Sequence, residues 1–390
     1  MNTLLTIGVA MACGLLVSRL AKAVKLPNVT AFLVAGLLIG PCVAGIITKE
    51  QAEAMGIISE AALGFIAYAI GGEFKLSYLK KIGKAPITIT LFQGLATVLC
   101  VDAGLILLGV DVPMALLLGA IALATAPAAT LMVVRQYKAR GPVTQMLLPV
   151  VAMDDALGLM VFSISASVAQ ALLGGEMTAQ SMILSPLIEI VGSLALGSAL
   201  GLLLAFGARF FASRGNKLAL SIALVLAGVG LCDLWGLSSL LVCMMIGAIM
   251  VNLSQQHEVL MEQCDRFTPP LFLLFFVLSG AELDLSVLPA VGLTGVFYLL
   301  LRSLGKWGGT MLGALSVRAD SNVRKYLGLT LLPQAGVAIG MAQMVSIRFP
   351  ALAAQISTIV LAGVLVFELA GPVITKLALT KAGEIQPASK

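Results

Sequence analysis

Two adjacent acids, Asp154 and Asp155, stand inside an apolar run, Val150-Val151-Ala152-Met153-Asp154-Asp155-Ala156-Leu157-Gly158. A carboxylate at the centre of a bilayer costs at least about 2.5 to 3.5 kcal/mol, so acids placed there need a chemical reason. Neighbours on an α-helix point about 100° apart, so the pair cannot share one proton face to face, and each needs its own partner. Lys306, embedded in Leu301-Arg302-Ser303-Leu304-Gly305-Lys306-Trp307-Gly308-Gly309, is the natural counter-ion of Asp154, with Arg302 one turn away as the competing choice. Asp155 is then left to face a wet cavity. Desolvation favours a protonated carboxyl and an arriving cation favours an ionised one, so proton and cation compete for the same oxygens. Exchange of one for the other follows. If Lys306 also releases a proton when the cation breaks its bridge, two protons move per ion and the exchange is electrogenic; if it stays charged, the exchange is one for one.

The composition supplies the bilayer that this chemistry presupposes. Among 390 residues, 59% are hydrophobic and 11% charged, which is not a soluble composition. Glycine and proline spread through the apolar stretches fit a helical bundle rather than a barrel, whose strands would alternate polar and apolar. Soluble enzymes and secreted disulfide scaffolds are excluded. So are nucleic-acid partners, because the net charge of +5 forms no basic patch. The six cysteines form no CxxC pair, and neither a metal centre nor a cofactor is expected beyond a transported monovalent cation.

About 20 apolar residues cross the hydrocarbon core. Cutting the chain at charged and Pro/Gly breaks gives thirteen transmembrane spans, at 3–20, 28–47, 57–72, 87–109, 113–134, 143–173, 181–212, 217–232, 236–252, 268–281, 287–315, 323–346 and 350–378. Spans 8 and 10 read as short. Lys and Arg accumulate in cytoplasmic loops. With the N-terminus outside, the inside carries Arg19, Lys22 and Lys25; Lys75, Lys80, Lys81 and Lys84; Arg135, Lys138 and Arg140; Arg209, Arg214 and Lys217; Arg266; Arg318, Arg324 and Lys325; and Lys376, Lys381 and Lys390. Only Lys49 and Arg348 fall outside, where acids such as Glu50, Asp111, Glu176, Asp233 and Asp284 collect. The first span carries its positive charge behind it, so it reads as an inserted span and not a cleavable signal. The expectation is a multi-pass protein of the inner (cytoplasmic) membrane with a cytoplasmic C-terminus.

Gly71-Gly72-Glu73-Phe74-Lys75-Leu76-Ser77-Tyr78-Leu79 and Gly280-Ala281-Glu282-Leu283-Asp284-Leu285-Ser286-Val287-Leu288 match at five of nine positions. They follow spans 3 and 10, and an odd number of intervening crossings turns the second copy upside down. Spans 1–6 then map onto 8–13 as the inverted repeat characteristic of secondary transporters. Both copies carry an interruption at corresponding places: Ala124-Thr125-Ala126-Pro127-Ala128-Ala129-Thr130 in span 5 and Leu332-Pro333-Gln334-Ala335-Gly336-Val337 in span 12. Broken helices expose backbone carbonyls and half-helix dipoles at membrane depth, so Pro127, Pro333 and Gly336 mark a pair of broken, crossing helices in an all-α membrane fold.

With these motifs the chain resembles the monovalent cation:proton antiporter family, in its second branch, which carries an Asp-Asp pair. The resemblance rests on Leu26-Pro27-Asn28-Val29, the run Gly36 to Pro41, the Ala-Thr-x-Pro break, Arg140-Gly141-Pro142, Asp154-Asp155, Gly305-Lys306 and Leu332 to Gly336. It implies a homodimer in the membrane lipid. A dimerisation domain would comprise 1–84 and 215–286, a core domain 85–176 and 287–390, with 177–214 as connector and an elevator-like motion of the core. It also implies that Asp155 is the transport carboxylate and Asp154 the partner of Lys306. Many relatives carry Ser or Asp at the position of Ala126 and an acid near Ala335 or Gly336. Here those positions are apolar, which leaves Thr125, Thr130, Gln334 and backbone carbonyls to complete a shell with Asp154 and Asp155. Sodium, a hard ion, is the expected cation, with potassium and lithium as alternatives.

Other charged residues read as structural: Glu368 as a packing hydrogen bond, Asp102 and Glu189 as interfacial, Glu73 as a loop pair of Lys75 or Lys80, and His257 as a solvated loop residue in an acidic inside loop. Competing readings are a potassium/proton antiporter or potassium efflux protein of the same fold, and a sodium-coupled organic solute symporter. An intramembrane aspartyl protease is excluded, because its acids converge from separate helices.

Overall fold

The computed structural model describes residues 2–23, 26–72, 74–77, 83–173, 184–285 and 287–385. Lys25, Glu73, Lys80, Lys81, Glu176 and Lys390 lie outside the described residues, as do Tyr78, Leu79 and Ser286 of the nine-residue repeat. The described residues are helical, with no strand among them. In chain order the helices are α1 (Thr3–Ala23), α2 (Asn28–Ile39), α3 (Lys49–Ala54), α4 (Gly56–Gly71), α5 (Ala85–Leu107), α6 (Val112–Leu123), α7 (Pro127–Gln136), α8 (Pro142–Leu172), α9 (Ser185–Gly207), α10 (Arg214–Trp235), α11 (Ser239–Leu253), α12 (His257–Glu282), α13 (Val287–Ala290), α14 (Gly292–Ser316), α15 (Ser321–Tyr326), α16 (Gly336–Arg348) and α17 (Pro350–Lys381).

A helix or a broken pair of helices overlies each of the thirteen expected spans. Among the described residues, eight are long and apolar enough to cross a membrane, or nine if Ser321–Leu331 and Gly336–Ser346, bent by 49°, count as one span. Span 2 ends at Ile39 instead of residue 47, where Pro41 lacks the N–H that would continue the helical ladder. Spans 8 and 10 are not short. They form the 22-residue α10 and the 26-residue α12. The polar stretch expected as the loop around His257 instead opens α12, where Glu262 and Arg266 pair at 2.6 Å across one helical turn. Span 11 divides at Gly292, whose φ of +59° is left-handed.

The chain forms two compact units, one of Met1–Lys25, Ala31–Gly83 and Leu187–Glu282, the other of Leu26–Thr30, Lys84–Pro186 and Leu283–Lys390. In the first unit Gly36 and Gly280 let α2 and α12 touch backbone to backbone, and Gly71 and Gly247 do the same for α4 and α11. The two crossings are counterparts under the repeat, since span 2 maps onto span 9 and span 3 onto span 10.

In the second unit α5 and α14 run together along a glycine stripe. A Cβ at Gly305, Gly309 or Gly313 would stand 2.6, 2.8 or 2.9 Å from the Cα of Thr97, Gln93 or Ile89. Small residues of this kind are what brings helices close where lipid removes the hydrophobic drive. The inner face of α14 is glycine, Tyr298, Arg302, Lys306 and Thr310, and its outer face carries Leu300 and Leu304, each more than half exposed. That reversed polarity is the pattern of a helix solvated by lipid, with its charges turned into the protein. Gly309→Ala is therefore expected to wedge α14 off Gln93, at a cost of about 1–3 kcal/mol. A drop in the thermal midpoint of the detergent-purified protein, larger than for Ala at the open Gly308, checks it.

Candidate functional site

A helix that stops inside the membrane leaves its last four carbonyls without intrahelical partners. α6 stops at Leu123, before Thr125 and Pro127, and side chains meet its end. Gln334 Nε2 donates to the Ile121 carbonyl at 3.1 Å. Arg302 donates from Nε to Ala122 O at 3.0 Å and from Nη2 to Ala124 O at 2.8 Å. Lys306 Nζ donates to Leu123 O at 2.5 Å. The third arm of Arg302, Nη1, reaches the Leu332 carbonyl in the other break at 2.7 Å, and its guanidinium lies 4.4 Å from the Phe367 ring centroid. The breaks also bond to each other, the Ala126 N–H donating to Pro333 O at 2.8 Å. Two cations thus sit on carbonyl ends, where the helix dipole is negative. The amino ends begin at Pro127, a first-turn position that needs no N–H, and at the exposed Gly336.

Lys306 has a second task. Its Nζ lies 2.7 Å from Thr125 Oγ1 and 3.2 Å from Asp154 Oδ2, with both ionised side chains fully buried. Thr125 Oγ1 in turn donates to Asp154 Oδ2 at 2.7 Å. The other oxygen, Asp154 Oδ1, accepts from Gln93 Nε2. Asp154 is therefore held by an ammonium, a hydroxyl and an amide, as a buried carboxylate must be. Lys306, and not Arg302, is the counter-ion; Arg302 is committed to backbone carbonyls.

Asp155 is 3% exposed, and neither of its carboxylate oxygens has a hydrogen-bond partner among the described residues. Of the residues singled out from sequence, Thr125, Asp154 and Lys306 meet directly, with Asp155 next in the chain. Gln334 and Thr130 make no hydrogen bond to either carboxylate among the described residues. Gln334 Nε2 also donates to Tyr298 Oη at 3.0 Å, while its Oε1 is buried and has no hydrogen-bond partner among the described residues. Thr130 Oγ1 donates to Thr330 O at 3.3 Å, a tie between α7 and the segment before the second break.

Gln93 escaped sequence reasoning; its only signal is a lone amide in the apolar run of span 4. Of the residues with weaker claims, Glu368 is buried on α17. Asp102 is half-buried, with Oδ1 turned into the protein at Gly119 on α6 instead of outward to water. His257 hydrogen-bonds the Ser254 carbonyl through Nδ1 at 3.0 Å, and its Nε2 lies 3.4 Å from Lys75 Nζ.

The family model "Sodium/hydrogen exchanger, transmembrane" matches residues 7–380. The chain belongs to that family. It is thus a multi-pass membrane transporter that exchanges a cation for protons. Two characterised relatives are similar over much of the exchanger. One is the ammonium/H(+) antiporter subunit AmhT of Alkalihalophilus pseudofirmus, 24% identical over 92% of this chain and 90% of the relative. The other is the high-affinity Na(+)/H(+) antiporter NhaS3 of Synechocystis, 26% identical over 77% of this chain and 66% of the relative. Among solved structures, the sodium proton antiporter MjNhaP1 of Methanocaldococcus jannaschii has the same fold, with 20% identity, covering 98% of this chain and 96% of its own, at a TM-score of 0.70. A second structure of MjNhaP1 matches at 0.77.

Arg302→Met removes the donor to three buried carbonyls and is expected to cost at least about 4 kcal/mol, since bonds to charged groups are each worth about 1.5–3 kcal/mol. Arg302→Lys, with one compact ammonium, is expected to recover only part of this. Thermal unfolding in detergent checks the order wild type, Lys, Met.

Proposed function

We propose that the exchanger carries sodium against protons, with Asp155 as the group that holds either the cation or a proton. The observation that carries this reading is the contrast between two neighbouring carboxylates. Asp154 is held by Gln93, Thr125 and Lys306, whereas both Asp155 oxygens are buried with no hydrogen-bond partner among the described residues. A buried carboxylate without a partner is held neutral by a proton or compensated by a metal ion, and one pair of oxygens cannot serve both. Hard oxygen donors suit sodium. Asp155, Asp154, Thr125, Thr130, Gln334 and the carbonyls of the two breaks supply them, with Gln93 added to the set.

The exchange is electrogenic in this reading. A cation that engages Asp154 draws it from Lys306, whose remaining acceptors, Leu123 O and Thr125 Oγ1, are neutral. Lys306 then gives up the second proton. Residues 85–176 and 287–390 form the moving core, residues 1–84 and 215–286 the dimerisation domain, and 177–214 the connector, in an elevator-type cycle. Exposed apolar side chains such as Leu4 and Leu16 on α1 and Leu203 on α9 suit lipid or a second copy. The loop charges favour the inner membrane, an outside N-terminus and a cytoplasmic C-terminus.

The test is proton flux in vesicles bearing a pH gradient, with sodium, lithium, potassium or ammonium added in turn and the membrane potential free or clamped. Proton movement driven by sodium and altered by the potential supports the proposal. Movement driven only by potassium or ammonium reassigns the cation, and proton-independent uptake of the cation contradicts the proposal. Asp155→Asn is expected to abolish exchange, a loss of at least about 100-fold, because an amide cannot trade a proton for a cation. Lys306→Gln is expected either to stop exchange or to make it indifferent to the potential; unchanged electrogenicity in that variant removes Lys306 from the proton count.

A further inference from the structure

The helix that carries both carboxylates begins without a cap of its own. Its N-cap residue is Gly141, which has no side chain, and its first residue is Pro142, which has no N–H. The Gln145 N–H makes the first backbone bond, to Gly141 O at 3.0 Å. That leaves the N–H groups of Val143 and Thr144 to be satisfied from elsewhere. Both are met by one side chain some 240 residues later. Glu384 Oε1 accepts from Val143 N at 2.6 Å, and Oε2 accepts from Thr144 N at 2.8 Å and from Thr144 Oγ1 at 2.7 Å. The Arg140 N–H adds a bond to the Glu384 carbonyl at 3.0 Å. Glu384 is 4% exposed, and a Cβ on Gly141 would fall within its side chain. The φ of Gly141, 163°, is extended backbone open to any residue, so it is space for Glu384 that demands glycine here.

The segment that delivers Glu384 is itself fixed. Gly383 turns the end of α17 with a φ of +75°, the Glu384 N–H returns to Leu379 O at 3.0 Å, and Asn322 Nδ2 on α15 donates to Ala382 O at 3.2 Å. A carboxylate on two N–H groups at a helix start also meets the positive end of the helix dipole. From Val143 to Asp154 is about 16 Å along the helix, and Pro149 between them interrupts the hydrogen-bond ladder.

We infer that Glu384 is a positioning residue for ion exchange: it clamps the start of α8 to the end of α17 and thereby holds Asp154 and Asp155 where the cation can bind. The inference rests on the assignment of the cation site to Asp155. Without the clamp the first turns of α8 sample other positions as far as Pro149. Only a fraction of molecules then presents the carboxylates in register, and apparent affinity falls in proportion to that fraction.

The test is sodium-driven proton exchange by the reconstituted full chain, separated into apparent KM and Vmax, with monodispersity and thermal midpoint as checks of folding. Glu384→Ala is expected to raise the KM for sodium about tenfold, which corresponds to a competent fraction of about one tenth. Glu384→Gln, which keeps one acceptor oxygen, falls between. Gly141→Ala, which alters no hydrogen-bonding group but drives a methyl into the Glu384 side chain, raises KM as Glu384→Ala does. The double variant is no worse than Glu384→Ala alone, because both changes break one contact. A folded Glu384→Ala with wild-type KM overturns the inference, as does an additive double variant. So does a loss confined to Vmax in step with the amount of folded protein. If the alanine variant does not fold, Glu384→Gln and Gly141→Ala are judged by the same criteria. Failure of the wild type to exchange, or exchange that survives Asp155→Asn, removes the underlying site assignment instead and is seen before any Glu384 variant is compared.

Discussion

The arrangement depends on one constraint: a helix broken within a membrane exposes carbonyls that neither water nor lipid can satisfy. Gln334, Arg302 and Lys306 satisfy them at the end of α6. Once two cations are placed there, a counter-charge is required, and Asp154 provides it with help from Thr125 and Gln93. The repeat brings the second break alongside the first, so Arg302 bridges both and the Ala126 N–H finds Pro333 O. What is left over is Asp155, the one acid of the pair that this network does not consume.

Division of labour between adjacent carboxylates follows from helix geometry. About 100° of rotation separates them, so the charges of α14 reach only one. Removing one partner from a buried ion pair typically costs about 3–5 kcal/mol, which is why Asp154 and Lys306 stand or fall together. The glycines of α14 make the approach possible, since they bring the backbone of α5, and with it Gln93, within reach of α8. Packing and chemistry are thus the same feature viewed from two helices.

Much of this is legible in the sequence. Acids and bases in apolar runs are expensive, so Asp154, Asp155, Arg302 and Lys306 announce themselves, and matched prolines at Pro127 and Pro333 mark the breaks. The inverted repeat showed in nine residues and reappears in the paired glycine crossings of α2 with α12 and α4 with α11. Other elements were hidden for physical reasons. Backbone carbonyls carry no sequence signature, so the sequence does not separate Lys306 from Arg302, whose roles are set by the carbonyl end of α6. Gln93 sits alone in an apolar helix, and Glu384 caps a helix from the far end of the chain. The lengths of α10 and α12 were underestimated because hydropathy marks where a helix is apolar, while its ends are set by capping, as Ser213 does for α10 by accepting the Asn216 N–H at 3.1 Å.

The central claim is that one shielded carboxylate holds either a proton or a cation. The most direct measurement is titration of sodium into the purified protein in weak buffer across a pH series, following heat and proton release together. Each bound cation is expected to displace at least about one proton, and apparent affinity to weaken by up to about tenfold per unit of pH for every proton displaced, below the titration range of the site, because proton binding and cation binding are linked. Sodium binding that releases no protons and keeps the same affinity at every pH would contradict it.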